Sequence, residues 1–121
     1  MIRIILFVIL LMLIAVVTEA TTEDWMITFY CECKVCCGKE PTHPQYGVMA
    51  SNRQVYVGAV ACNILPLGCD LAIDDAVYTV EDRGCHELFD NKKHIDVYIP
   101  DHETARQLGV QYKSVTVFKE G

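Results

Sequence analysis

Two aspartates within short β-like segments have the residue type and surroundings needed for acid/base chemistry. Asp82 lies in the segment VEDRG at positions 80–84, and Asp96 lies in HIDVY at positions 94–98. The residues between the two segments are polar, as expected for a loop. Two carboxylates held by neighbouring strands form a common arrangement for acid/base catalysis on sugars. We therefore take Asp82 and Asp96 as the candidate catalytic pair.

The strand predicted over residues 94–99 places its side chains alternately on two faces. Its aliphatic residues share one face, whereas His94, Asp96 and Tyr98 share the other. If the aliphatic face fills a core, the polar face could line a groove in which aromatic rings stack on sugars. The alternative is a solvated face of an amphipathic strand. We take His94 and Tyr98 as candidate substrate-binding residues.

The residues around Asp82 allow two interpretations. Gly84 permits a tight turn, and Arg83 could pair with a carboxylate or contact a ligand. Arg83 is therefore the third candidate substrate-binding residue. Alternatively, Asp82 caps the turn by accepting hydrogen bonds from nearby backbone N–H groups.

The chain has an odd number of cysteines, which are Cys31, Cys33, Cys36, Cys37, Cys62, Cys69 and Cys85. In a short exported chain this density predicts disulfides, with at least one cysteine outside an intramolecular pair. The cluster at residues 31–37 could instead bind zinc. It lacks a second Cys-x-x-Cys knuckle, however, and adjacent cysteines fit one tetrahedral centre poorly. We therefore predict disulfides, no metal and no cofactor; no spacing marks a catalytic Cys–His dyad.

The N-terminal residues predict export. Arg3 precedes an unbroken apolar run over residues 4–17, which is shorter than the roughly 20 residues of a transmembrane helix. The run has the length of a signal-peptide core, and residues 18–20 offer a cleavage site. We predict a signal peptide over residues 1–20, with an uncleaved anchor through residues 4–17 as the alternative. Both place the remaining chain outside the cytoplasm, secreted or attached to the cell envelope.

Length and charge limit the remaining possibilities. Residues 21–121 are enough for one domain. The net charge of −6 argues against nucleic acid, whose phosphates need a basic surface. A neutral glycan remains compatible. We expect a monomer that meets a membrane only through an uncleaved N-terminal segment.

Short periodic segments predict six strands and one helix. The strands are placed at residues 25–30, 54–61, 70–73, 76–81, 94–99 and 114–119. Asp74 and Asp75 form the bend of a hairpin between the third and fourth strands. Asp101 is the predicted N-cap of a helix that runs to Leu108 and ends at Gly109. This arrangement indicates a small, mainly-β barrel.

Several short motifs fall in the order found in the three-aspartate (3D) domain. They are FYCEC at 29–33, CGK at 37–39, MAS at 49–51, VAC at 60–62, LPLG at 65–68, VEDRG at 80–84, IDVY at 95–98 and HETA at 102–105. The chain thus resembles small secreted bacterial 3D proteins and the catalytic barrel of the membrane-bound lytic transglycosylase A family. The resemblance extends from about Ile27 to Phe118.

The resemblance implies a six-stranded double-psi β-barrel over residues 21–121 that acts on peptidoglycan. The expected reaction cleaves the β-1,4 bond between N-acetylmuramic acid and N-acetylglucosamine and gives a 1,6-anhydro product. Asp96 would protonate the glycosidic oxygen, and Asp82 would support the cationic transition state or tune Asp96. Such an acid needs a pKa above the usual value of about 3.9, which partial burial and a neighbouring carboxylate would provide.

The chain departs from the family at three places. No Asp stands at residues 61–63, where the first family Asp falls, and Cys69 replaces a Thr. The loop at residues 85–93 is bulky and charged and is expected to lie over the groove. Cysteines at 62, 69 and 85 favour additional disulfides in the barrel. Two other functions stay open: a non-catalytic glycan-binding module, and a disulfide-stapled structural or inhibitory protein.

Overall fold

The structure is a computed structural model that describes residues 20–118. The leader predicted over residues 1–20 lies almost wholly outside the described residues, and its export function stays a prediction. Within residues 20–118, no helix has the length and apolar character needed to cross a membrane.

Six strands close into a barrel. They are β1 (Ala20–Tyr30), β2 (Ala59–Ala61), β3 (Asp70–Ile73), β4 (Ala76–Asp82), β5 (His94–Tyr98) and β6 (Gln111–Phe118). Their order around the barrel is β1-β5-β2-β4-β3-β6. The β1–β5 and β2–β4 pairs are parallel, and the other four pairs are antiparallel. The predicted mainly-β, six-stranded barrel is confirmed at this level.

Between Ala20 and Phe118, three short helices connect the strands, where the sequence predicted one. They are α1 (Lys34–Cys37), α2 (His86–Phe89) and α3 (His102–Leu108). The predicted helix is α3, whose N-cap Asp101 accepts a hydrogen bond from the Thr104 backbone N–H at 3.0 Å. The other two are single turns inside predicted loops. They are too short for a helical period to appear in the sequence.

Three strands begin at residues well away from the predicted ones. The strand β6 begins at Gln111 rather than Ser114, because it pairs with β1 as far as Ile27↔Gln111. The strand β1 begins at Ala20 rather than Trp25, because its exposed first half pairs with β6 from Ala20↔Phe118 onwards. These exposed residues show no alternation of polar and apolar types, so the sequence pattern does not indicate that they form a strand. In contrast, β2 begins only at Ala59, because Gly58 has a φ of +110° and ends a turn.

The barrel interior is filled by aliphatic side chains from all around the sheet. Ile27, Leu71, Val80, Ile95 and Val115 are each fully buried in this core. The predicted aliphatic face of the fifth strand therefore packs inward. This leaves Asp96 and its same-face neighbours on the outer surface of the barrel wall.

The hairpin between β3 and β4 forms as predicted. Asp74 and Asp75 have φ values of 48° and 61°. Two consecutive residues with positive φ are typical of the type I′ turns that match the twist of paired strands. The hairpin fixes the path of β4 and hence the place of Asp82 at the end of that strand.

Candidate active site

The strand β2 brings the two aspartates together. It lies between β4 and β5, and Ala61 pairs with Asp82 on one side and with Asp96 on the other. Residues in register on neighbouring strands project to the same face of a sheet. A register shift between Val60 and Ala61 adjusts this alignment on the β4 side. Asp82 and Asp96 therefore flank Ala61 on the same face of the sheet.

Both aspartates line one cavity of about 390 Å³. Tyr30 and Arg83 also contribute to its wall. The loop between β4 and β5 adds Leu88 and Phe89. The loop at residues 85–93 therefore forms part of the cavity wall, and its position over a substrate groove stays a prediction.

Asp82 is held by three hydrogen-bond donors. Its Oδ2 accepts from the Tyr30 hydroxyl at 3.1 Å, and its Oδ1 accepts from the backbone N–H groups of Ala50 at 3.0 Å and Arg83 at 2.9 Å. An ionised carboxylate only accepts hydrogen bonds, so this set of donors suits the ionised form. Asp82 thus caps its turn, as one of the two interpretations predicted, and it also lines the cavity. Its catalytic role stays a prediction.

The Tyr30 hydroxyl remains a hydrogen-bond donor over the physiological pH range. Its burial, together with the adjacent Asp82 carboxylate, raises its pKa far above the usual value of 10.0. The Asp96 carboxylate adds to this effect more weakly. The hydroxyl therefore keeps its proton and stays directed at Asp82.

Asp96 lies in a drier environment than most surface carboxylates. Burial raises its pKa from 3.8 to about 6, and the neighbouring Asp82 contributes a further upward effect. A hydrogen bond at 2.9 Å with the Thr28 hydroxyl acts in the opposite direction. Asp96 can consequently hold a proton close to neutral pH, as a general acid must.

Thr28 connects Asp96 to His94. Its Oγ1 lies 2.7 Å from Nε2 of His94 and 2.9 Å from Oδ1 of Asp96. The other ring nitrogen of His94, Nδ1, lies 3.0 Å from the Leu88 carbonyl oxygen. Because a carbonyl only accepts, Nδ1 carries a hydrogen.

The Thr28 hydroxyl has only one hydrogen, and it donates this hydrogen to Oδ1 of Asp96. The same hydroxyl also contacts Nε2 of His94, so it links the imidazole to the carboxylate.

The three predicted substrate-binding residues make internal contacts. His94 is buried and stacks on Phe89 with ring centroids 3.9 Å apart. Tyr98 is buried and donates to Glu32 at 2.7 Å, and Arg83 donates to the backbone carbonyl of Leu65 at 2.6 Å. Of the three, Arg83 lines the cavity. Their contact with substrate stays a prediction.

Sequence reasoning missed Asn63, which organises the loop beside the cavity. Its amide donates to the Gly84 carbonyl at 3.0 Å and to Asp90 at 2.7 Å, and its oxygen accepts from the Gly84 N–H at 2.8 Å. Thr28 and Tyr30 were also missed, because only the β1–β5 pairing places them beside the aspartates.

A larger cavity of about 790 Å³ is lined mainly by apolar residues, among them Trp25 and residues 64–67. Within the described residues that line it, the charged ones are Glu23 and Lys93, which form an ion pair with each other. It lacks the paired carboxylates that acid/base chemistry on sugars requires. The smaller cavity is therefore the better candidate for an active site.

The cysteines do not show the expected disulfides. Six of them, Cys31, Cys33, Cys36, Cys37, Cys62 and Cys85, are free thiols in the structure. Disulfide stapling consequently stays a prediction. A set of potential metal ligands lies next to the cavity, since one atom each of Cys31, Cys33, Cys36 and His102 lie within 4.8 Å of one another.

No family model matches the chain, and a search of curated proteins likewise gives no match.

Proposed function

We propose that this chain is a 3D-type double-psi β-barrel that cleaves the glycan strands of peptidoglycan. The observation that carries the proposal is the placement of Asp82 and Asp96 on either side of Ala61, in one cavity. The closed six-stranded order with parallel β1–β5 and β2–β4 pairs supports the double-psi topology. The motif order supports the family.

Asp96 is the general acid in this proposal. With a pKa of about 6, roughly a tenth of the molecules carry the proton at pH 7, compared with well under a hundredth for an ordinary Asp. The Thr28 hydroxyl donates to Asp96 and also contacts His94. His94 acts through Thr28 and is a positioning residue in this scheme.

The reaction balances without water. Asp96 donates its proton to the glycosidic oxygen, and the bond between that oxygen and C1 of N-acetylmuramic acid breaks. The 6-hydroxyl oxygen of the same sugar attacks C1, and its proton passes to the Asp96 carboxylate. Asp82, held by three donors, stabilises the positive charge that develops at C1.

The proposed location is outside the cytoplasm, where peptidoglycan lies. Export rests on the N-terminal apolar run, and the domain is proposed to be secreted or anchored by residues 4–17. Disulfide formation among the cysteines outside the cluster at residues 31–36 belongs to the same proposal, because exported cysteines meet an oxidising environment.

Digestion of purified peptidoglycan by the full chain tests the proposal, with product mass spectrometry as the readout. We expect 1,6-anhydro sugars from the wild type and at least about a hundredfold less from Asp96→Asn, whose amide keeps the shape but cannot donate the proton. Asp82→Asn is expected to slow the reaction less. Asp75→Asn is the matched control, since Asp75 lies in the exposed β3–β4 turn at a positive φ that Asn tolerates.

Three outcomes would contradict parts of the proposal. Activity of Asp96→Asn would place the acid elsewhere. Reducing-end sugars without anhydro product would indicate hydrolysis rather than transglycosylation. A wild-type chain that sediments with insoluble peptidoglycan but releases no sugar would indicate a glycan-binding module.

A further inference from the structure

We propose a structural zinc site formed by the Sγ atoms of Cys31, Cys33 and Cys36 and by Nδ1 of His102. It is separate from the two aspartates and is independent of any activity on glycans. The sequence favoured disulfides for these cysteines, whereas the spatial arrangement favours the metal. The four atoms lie within 4.8 Å of one another.

Four of the six distances between these atoms lie close to the edges of a tetrahedron around zinc, and the other two are within 4.8 Å. Zn–S bonds of about 2.3 Å and Zn–N bonds of about 2.0 Å give edges of about 3.8 Å between two sulfurs and about 3.5 Å between sulfur and nitrogen. The sulfurs of Cys31 and Cys36 are 3.7 Å apart. The sulfurs of Cys31, Cys33 and Cys36 lie 3.6, 3.3 and 3.5 Å from Nδ1 of His102.

Cys31 and Cys36 are not bonded to each other in the structure. Their sulfurs lie 3.7 Å apart, whereas bonded sulfurs lie about 2.05 Å apart. Three thiols also surround one imidazole nitrogen, whereas a disulfide would join only two of them. Three thiolates and a neutral histidine are a common ligand set of structural zinc.

The fold builds the site at the ends of two parallel strands. The strands β1 and β5 end in register at Tyr30↔Tyr98, and the Ile99 N–H donates to the Tyr30 carbonyl at 2.7 Å. The chain segments that follow these strands are therefore neighbours. One segment carries the three cysteines, and the other leads into α3, whose first residue is His102.

Local structure selects the ligands among the four clustered cysteines. In the turn that opens α1, the Cys36 N–H donates to the Cys33 carbonyl at 3.1 Å, which brings Cys33 and Cys36 to the same side. Cys37 is directed away, and its thiol donates to the Cys31 carbonyl at 3.2 Å. The adjacent pair Cys36–Cys37 therefore does not crowd one centre, which removes the objection drawn from the sequence.

Four protein ligands leave no open coordination position, so the role of the metal is to stabilise structure. The metal would fix the loop that forms one wall of the aspartate cavity. Glu32 lies between two ligands, lines that cavity and accepts the hydrogen bond from Tyr98. Cys36 lines the same cavity.

The test is the metal content of the full chain, purified in the presence of reductant and exposed to Zn²⁺ alone. We expect one tightly bound zinc per chain by elemental mass spectrometry. Cys36→Ser and His102→Ala should each lower zinc affinity by more than about a hundredfold. This is more than the usual effect of substituting a residue that contacts a ligand but not the metal. The matched controls Cys37→Ser and His86→Ala should bind as the wild type does.

Substitution of Co²⁺ into the wild-type chain gives a second readout that does not depend on the variants folding. We expect thiolate-to-cobalt charge transfer and the intense visible bands of tetrahedral cobalt. The proposal is overturned by weak, octahedral-type bands or by zinc affinity that depends on Cys37 rather than Cys36. It is also overturned if the chain isolated without reductant contains a disulfide involving Cys31, Cys33 or Cys36 and no zinc.

Discussion

At the scale of single residues, opposing effects set the proton affinity of Asp96. Burial and the Asp82 carboxylate raise its pKa to about 6, while the Thr28 hydroxyl lowers it. Thr28 also contacts Nε2 of His94 at 2.7 Å. Asp82 of β4 and Tyr30 of β1 are titratable groups that interact electrostatically with Asp96.

Thr28→Val should raise the pKa of Asp96 above about 6, because it removes the one hydrogen bond that favours the ionised form. Carbon NMR titration of the Asp96 carboxyl group measures this directly. Thr28→Ser, which keeps the hydroxyl, should stay near the wild-type value. An unchanged or lower pKa in Thr28→Val would show that Thr28 does not support the ionised carboxylate.

Asp96→Asn should stabilise the fold at alkaline pH. A carboxyl whose pKa is raised on folding favours the native state below its unfolded pKa and loses that benefit as pH rises through the folded value. The rise from 3.8 to about 6 corresponds to about 3 kcal/mol. Urea unfolding should therefore find the variant more stable than wild type by up to this amount at pH 8.

The advantage of Asp96→Asn should shrink between pH 6 and pH 4, where native Asp96 becomes protonated. A stability difference that is the same at pH 4 and pH 8 would show that the amide acts through packing. Functional carboxylates commonly carry such a cost in stability.

At the scale of elements, the loop from β4 to β5 is fixed by close packing rather than by a special turn. Gly84 does not have the positive φ that would explain its choice; instead, a Cβ at this position would overlap the Phe89 ring. That ring is itself stacked on His94. From the sequence we predicted that Gly84 permits a tight turn. In the structure, its lack of a side chain allows the Phe89 ring to lie close to the Gly84 backbone.

Gly84→Ala should destabilise the fold by about 1–3 kcal/mol, because the ring is held by His94 and cannot move aside freely. Urea unfolding measures the change. In a Phe89→Ala background the same substitution should cost much less, since the obstacle is gone. Equal costs in both backgrounds would contradict the packing explanation.

At the scale of the whole molecule, the apolar core of the barrel packs against the inner face of the strands that carry the candidate site. Ile95 is fully buried in this core and is the chain neighbour of Asp96. Packing on the inner face of β5 therefore fixes the strand that carries Asp96 and His94.

Ile95→Ala should lower the free energy of unfolding by about 2–5 kcal/mol, as expected for a large-to-small change in a close-packed core. Ile64→Ala is the control at a residue that is 41% exposed, and it should have a much smaller effect. Urea unfolding compares the two variants. Equal effects would mean that the interior does not depend on Ile95.

Local sequence features determined several parts of this fold. The alternation in residues 94–98 fixed which side chains of β5 face the core, and the Asp74–Asp75 pair fixed the hairpin turn. Asp101 marked the start of α3. These features are readable because strand alternation, turn conformation and helix capping each depend on residues close together in the chain.

Tertiary structure alone decided which segments became neighbours. A two-residue period specifies the face of a strand but not its partner, since pairing depends on packing across the whole barrel. The parallel β1–β5 pair places Thr28 beside Asp96, and it also sets the cysteines after β1 beside His102. The aspartate pair was visible in the sequence, whereas its hydrogen-bond partners and the metal-ligand cluster arose only when distant segments met.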